Sequence, residues 1–172
     1  GINSCKIVYL QSQKCKKTME NKIQFNEHNK TEYPPMHTAE HILNATMVKM
    51  FNCGRAVSAH VERKKSKCDY ALPQELTPQQ IEEVEAQVNN VVSMALPVTE
   101  EIITIDEAKE KFDVSRLPEG VSETIRVVNI GDYDSCPCLG LHVKNTSEIG
   151  KFKIISSGCC PTGFRIRFKL EG

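Results

Sequence analysis

The sequence predicts an α+β fold, with a mostly antiparallel sheet packed on a long central helix. Three observations lead there. An apolar helical pattern runs from Met36 to Phe51, stretches of alternating residues follow it, and the chain after residue 123 is made of strands and turns. At 172 residues and 40% hydrophobic content, the chain fits one domain, or one domain with a small appendage, and has enough apolar side chains for a core.

Residues 1–35 read as an N-terminal β extension: a short strand at Lys6 to Leu10, a lysine-bearing turn, and a second strand at Lys22 to Phe25. Glu32-Tyr33-Pro34-Pro35 then marks a boundary, because proline disfavours helix in the residue before it. From Met36, the residues Ala39, Ile42, Leu43, Ala45, Thr46, Val48, Met50 and Phe51 give a helix apolar enough to be buried. It is expected to close at Cys53-Gly54, where glycine suits a left-handed cap.

Arg55 to Glu62 and Lys67 to Leu72 read as a hairpin with Arg63-Lys64-Lys65-Ser66 at its tip. Thr77-Pro78-Gln79-Gln80 opens a second helix, with Thr77 as N-cap, Pro78 in the first turn and Gln80 completing a capping box. Ile81, Val84, Val88, Val91, Val92 and Leu96 form its apolar stripe, and Pro97 ends it. A strand follows over Val98 to Ile105, then a short helix from Glu107 to Phe112 with Asp106 as its cap. Strands at Thr124 to Ile130, Lys151 to Ser157 and Phe164 to Leu170 complete the pattern.

No stretch approaches the roughly 18 apolar residues that span a bilayer. Ile7-Val8-Tyr9-Leu10 is too short for the core of a signal peptide. The chain is therefore expected to be soluble and cytoplasmic, with no membrane partner. Its 8 cysteines are expected to be reduced, since the core needs no staples and Cys136-Pro-Cys138 and Cys159-Cys160 are awkward spacings for local disulfides.

Net charge is zero, yet it is unevenly spread. Residues 74–123 carry 12 acidic and 3 basic side chains, so the remainder holds 19 basic and 10 acidic ones. Such a chain can turn a basic face to a polyanion and keep an acidic back, although a solvated acidic helix gives the same numbers.

Two pairs carry chemistry. His37-Thr-Ala-Glu-His41 puts two imidazoles one turn apart on one helical face. Cys138-Leu-Gly-Leu-His142 adds a thiolate and a third imidazole, with Gly140 allowing a tight bend. Three nitrogens and one sulfur are donors that zinc prefers, and four of them fit a tetrahedral shell. Cys136, two residues upstream, remains a second thiolate candidate. A zinc-protease reading fails, because that motif needs Glu directly after the first His and Thr38 stands there. Ser58 and His60 are the remaining polar candidates. Alternation puts both on one sheet face, where His60 could orient or deprotonate water and Ser58 could read a substrate side chain. Asp134 and Asn145-Thr146 flank the second pair as candidate partners of the histidines.

His37-Thr-Ala-Glu-His41-Ile-Leu, followed about 95 residues later by Cys138-Leu-Gly-Leu-His142-Val-Lys-Asn-Thr-Ser-Glu-Ile-Gly-Lys-Phe-Lys, resembles the editing domain of alanyl-tRNA synthetase. It is similar also to freestanding relatives of that domain, the AlaX proteins, and to the second N-terminal domain of threonyl-tRNA synthetase. The resemblance covers roughly residues 36–170, and nothing resembles a synthetase catalytic domain, so a freestanding editing domain over 36–172 is expected.

The resemblance implies an aminoacyl-tRNA deacylase holding Zn2+ with His37, His41, Cys138 and His142. It would remove Ser, and also Gly, from alanine tRNA, or Ser from threonine tRNA. Leu139 and Leu141 depart from the small or polar residues common between the family's Cys and His, which leaves room for a non-catalytic, zinc-organised RNA- or protein-binding module. The expected partner is a tRNA acceptor end rather than DNA. Arg63, Lys64, Lys65 and Lys67 at the hairpin tip, with Arg165 and Arg167 on the last strand, are the expected phosphate contacts.

Overall fold

The computed structural model describes residues 33–112 and 123–172. The strands expected at 6–10 and 22–25, and with them the proposed 1–35 extension, lie outside the described residues apart from its last three.

Helix α1 spans Pro34–Phe51. The two prolines open this helix instead of breaking the chain before it, because a first-turn residue has no intrahelical use for the N–H that proline lacks. At the other end Asn52 takes the left-handed cap (φ 51°), one residue before the expected Cys53-Gly54. Every residue from Met36 to Met47 is buried, including His37, Glu40, His41 and Asn44.

Strands β1 (Ser58–His60) and β2 (Ser66–Tyr70) make the expected hairpin. Helix α2 spans Pro78–Ser93 and carries the capping box at Thr77 and Gln80. It buries Val84, Val88, Val91 and Val92. Asn89 ties it to the sheet by bonding both the N–H and the C=O of Phe152, each at 2.8 Å.

Strand β3 (Val98–Thr104) leads into helix α3 (Ile105–Lys111). The cap of α3 is Thr104 rather than Asp106: its hydroxyl accepts from Glu107 N, and Glu107 accepts from Thr104 N. Strands β4 (Thr124–Ile130), β5 (Asp134–Pro137), β6 (Lys151–Cys160) and β7 (Gly163–Glu171) follow. A single 3-10 turn lies at Thr146–Glu148, before β6. Strand β5 was not expected; four residues holding one proline give too short a pattern to read.

Among the described residues all strand pairing is antiparallel, but the strands form two sheets where one was expected. The four-stranded sheet runs β1-β2-β7-β6 and the three-stranded one β3-β4-β5. One large core joins Ile42, Leu43 and Met47 of α1 to Val84 and Val88 of α2 and to Cys68, Ile166 and Phe168 of the larger sheet. A smaller core under α3 contains Ile103, Ala108, Phe112, Ile125 and Val127. Gly163 opens β7 with φ 138°, against the carbonyl of Tyr70, where any Cβ would collide.

Candidate metal centre

The α-helical spacing of His37 and His41 gives two ring centroids 4.9 Å apart. The loop after β5 brings the second pair to them. The His142 ring lies 4.1 Å from that of His37 and 4.6 Å from that of His41. One donor atom from each of His37, His41, Cys138 and His142 falls within 4.8 Å of all the others. Donors of a zinc tetrahedron sit about 3.4–3.6 Å apart, from bond lengths of ~2.0–2.3 Å, so a small inward movement suffices.

Each histidine is held from behind. His37 Nδ1 donates to Leu141 O (3.1 Å), which leaves Nε2 as a lone pair 3.4 Å from Cys138 Sγ. His142 Nδ1 lies 2.9 Å from Thr38 Oγ1, and its Nε2 is buried with no hydrogen-bond partner. His41 Nδ1 faces Asp134 Oδ2 at 3.5 Å, and Nε2 has Glu40 Oε2 at 3.7 Å. A buried imidazole nitrogen without a partner, in a group of three nitrogens and one sulfur, is what a site built for a cation leaves open.

Electrostatics agree. Burial pushes the Cys138 thiol up, but the charges of His37 and His41 and the close approach of the His142 and His37 rings outweigh it, so the group sits well below the ordinary thiol range. Burial and then the charges of His37 and His41 push His142 down to about 3, leaving it a neutral imidazole. A thiolate and a neutral imidazole are ligating forms; at His41 burial lowers the pKa, but the Cys138 charge and the Asp134 contact outweigh it and raise it, so a bound cation would displace its proton.

The Cys138–His142 loop is fixed by residues far away in sequence. Arg126 on β4 donates from Nε to Cys138 O (2.8 Å) and from Nη2 to Gly140 O, while Cys138 N donates to Arg126 O (3.1 Å). Thr38 closes the other end, its hydroxyl accepting from Val143 N (3.2 Å) as well as meeting His142. Neither Thr38 nor Arg126 was singled out from sequence. Thr38 could have been, since it sits between two candidate ligands; nothing local marks Arg126. The Arg126→Gln variant is expected to bind metal roughly 10–100-fold more weakly with its fold intact, as for other residues that orient ligands. Lysine should not rescue it, because one ammonium cannot span two carbonyls as a guanidinium does. Zinc titration against a chelating dye checks this, and unchanged affinity would remove Arg126 from the site.

Asp134 was expected beside the metal pair and does face His41. It also holds buried Arg55 through two bonds of 2.6 and 3.1 Å. Burial raises its pKa, but the Arg55 charge and the bonds from His41 and Arg55 bring it down to about 2. A carboxyl depressed in the folded state contributes stability above its unfolded pKa of ~3.9, and that contribution is lost as pH falls toward about 2. Asn145 and Thr146 serve elsewhere. Asn145 caps the 3-10 turn, and Thr146 Oγ1 accepts from Leu96 N and donates to carbonyls at the end of α2.

Cys138, not Cys136, is the thiol in the group. Cys136 is disulfide-bonded, which corrects the expectation that every cysteine is reduced; Cys53, Cys68, Cys138, Cys159 and Cys160 are free.

The structure does not bring Ser58 and His60 to this group. They share a sheet face, as alternation required, but Ala59 between them packs on the core, opposite buried Cys68. Ser58 and His60 therefore point outward, and His60, 64% exposed, bonds Glu62 at 2.9 Å. The hairpin tip is placed more usefully. Arg63 lies 4.7 Å above the ring of Tyr33, the residue that precedes α1 and its His37. Lys64 and Lys65 are exposed beside it. Arg165, expected to meet phosphate, instead holds buried Asp69 at 2.7 and 2.8 Å. No helix among the described residues is long and apolar enough to cross a membrane.

Residues 125–166 match the sequence profile of the threonyl and alanyl tRNA synthetase second additional domain. The chain is 37% identical over 130 residues to an alanine–tRNA ligase of Fervidobacterium nodosum, covering 75% of this chain and 15% of that protein. It is 33% identical over 139 residues to one of Coxiella burnetii (79% and 16%) and 32% identical over 136 residues to one of Haemophilus influenzae (75% and 15%). The chain thus spans about a sixth of the length of these relatives.

Proposed function

The chain is a relative of the second additional domain of threonyl and alanyl tRNA synthetases, and on that premise we propose that it deacylates mischarged tRNA, removing Ser, and also Gly, from alanine tRNA. The relationship supports a tRNA-related editing role; the substrate is our reading of the site. The observation that carries it is the convergence of His37, His41, Cys138 and His142 within 4.8 Å.

These four residues would hold Zn2+. Bound there, zinc supplies a fixed positive charge that orients the α-amino group or carbonyl of an aminoacyl ester. Four protein donors complete a tetrahedral shell, the pattern of organising rather than open catalytic sites. An ester is already activated, so the remaining task is to place it, admit one water and exclude others. Thr38, His37 and Arg126 set the loop that carries Cys138 and His142. Arg63, Lys64 and Lys65 beside the start of α1 would meet the phosphates of the acceptor end, which positions RNA without reading sequence. We assign no chemical step to His60 or Ser58, which face away.

One observation favours a second reading. Leu141 is 53% exposed on the ligand loop, and an apolar rim there suits a module that binds RNA or protein without turnover.

The test supplies Ser-tRNA(Ala), Gly-tRNA(Ala), Ser-tRNA(Thr) and, as control, Ala-tRNA(Ala) to the zinc-loaded protein. Serine release from alanine tRNA, on the order of 10²-fold or more above the spontaneous rate, is the expected result. Release from threonine tRNA alone would transfer the activity to that substrate. Tight binding with no release of any amino acid would leave the module reading standing and end the enzymatic one.

A further inference from the structure

We propose that the outer face of the four-stranded sheet is a second phosphate-contact surface, where Lys67, Arg167, Lys169 and Lys153 carry the RNA backbone away from the metal centre. This rests on the tRNA-directed reading above and extends it from Lys67 and Arg167, expected as phosphate contacts, to Lys153 and Lys169 and to one continuous sheet face.

Strand register makes the case. Lys67 on β2 stands directly opposite Arg167 on β7, and Lys153 on β6 stands directly opposite Lys169 on β7. Opposed side chains in an antiparallel pair have Cβ atoms about 4.5–5.5 Å apart, and like charges there are destabilising. Arg167 and Lys169 are two residues apart on one strand, so the two like-charge pairs occupy successive rows of one face. Phe164, Ile166 and Phe168 alternate with these cations and are buried, which sets the cations on the solvent side.

Little on the protein neutralises them. Asp69, on the same face, is committed to Arg165. Glu171 lies 3.9 Å from Lys169, with both side chains more than 40% exposed, a geometry worth little in water. Among the described residues no carboxylate pairs with Lys67, Arg167 or Lys153. A fold that sets four cations in two repulsive rows calls for counter-charge from outside.

Placement identifies the partner. Ser66, the first residue of β2, is opposite Phe168, so Lys169 and Lys153 lie beyond that end of β2, toward the Arg63–Lys65 tip. The tip in turn touches Tyr33 at the start of α1. The cations therefore run in a line from the start of α1, past the tip and across β7 to β6. A line of regularly spaced fixed anions, the backbone of an RNA strand or duplex, matches such a line.

The test measures binding of uncharged tRNA by fluorescence anisotropy at several salt concentrations. The variants are Arg167→Gln with Lys153→Gln, and a control, Lys109→Gln with Lys111→Gln, which removes the same charge from α3 in the acidic segment. The sheet variant is expected to bind about tenfold more weakly at low salt and to reduce the slope of log affinity against log salt by about 2, with the control unchanged. Its melting temperature at low salt should hold or rise, since a repulsion has been relieved, which separates lost contacts from lost fold. Equal affinity and slope for the sheet variant and wild type would overturn the surface while leaving deacylation untouched. Displacement of tRNA by poly-glutamate as readily as by unlabelled tRNA would overturn RNA as the partner. If the wild type binds no tRNA even at low salt, this surface falls, and the deacylation assay separately decides the reading beneath it.

Discussion

His41→Ala and Cys138→Ser are each expected to reduce bound zinc from about one per chain to a trace and to cut deacylation at least on the order of 10²-fold. The shell has four donors, and the loss of one leaves three, with a gap that a single water fills poorly in a buried site. Cys138→Ser is the cleaner variant, because the side chain keeps its shape while a hydroxyl cannot ionise as the thiol does here.

Zinc should also stabilise the wild type by mass action. At 1,000 times the dissociation constant this amounts to about 4 kcal/mol. For a chain of this size that is a rise in melting temperature of roughly 8–16 °C. Neither variant should show it. Elemental analysis of protein purified without chelator, followed by melting with and without added zinc, decides the matter. A wild type that carries no zinc and takes up none would end the metal-centre reading, whatever the family relationship.

A second large effect is expected at Asn44, which touches no ligand. Its Nδ2 donates to Glu40 Oε1 at 2.6 Å, and its Oδ1 accepts from Tyr70 OH (2.8 Å) and Ala56 N (3.2 Å). All four residues are buried, with at most 1% exposure. Asn44→Leu keeps the branched outline but strands a carboxyl, a phenol and a backbone N–H away from water. Each costs about 1–3 kcal/mol, against about 1–2 kcal/mol gained from the new apolar side chain. The net loss is expected at about 3–5 kcal/mol, read from reversible denaturant unfolding. Tyr70→Phe, which removes one partner, should cost only about 1 kcal/mol. The network joins the helix that carries two candidate ligands to β2 and to the segment entering β1, so a loosened Asn44 should also weaken zinc binding. A loss under about 1 kcal/mol would show that the network is not what holds α1 in place.

Much of the fold was legible because its signals are local. Apolar spacing over Met36 to Phe51 marks α1, and Thr77-Pro78-Gln79-Gln80 marks the start of α2, since a cap and its helix lie within four residues. The two ligand pairs were legible for the same reason: residues four apart on a helix or across a tight bend are neighbours in any fold. Boundaries slipped by one or two residues at Pro34, Asn52 and Thr104, where neighbouring residues compete for the same cap.

What the sequence could not decide is which side of each element is buried and which distant segments meet. Alternation placed Ser58 and His60 together, but only the packing of Ala59 and Cys68 into the main core turns them outward. Arg165 and Arg167 look alike in sequence; Asp69, across the strand from Arg165, neutralises one and leaves the other exposed. Arg126 becomes part of the candidate metal centre only because β4 runs beside β5 and the loop that follows it. By itself, then, the sequence determined the helices, the hairpin and the donor types. Tertiary structure alone decided the split into two sheets, the choice of Cys138 over Cys136 and the orientation of every candidate outside the four ligands. The physical reason is that periodicity fixes relative faces within an element, whereas burial and long-range pairing are set by the free energy of the whole packed chain.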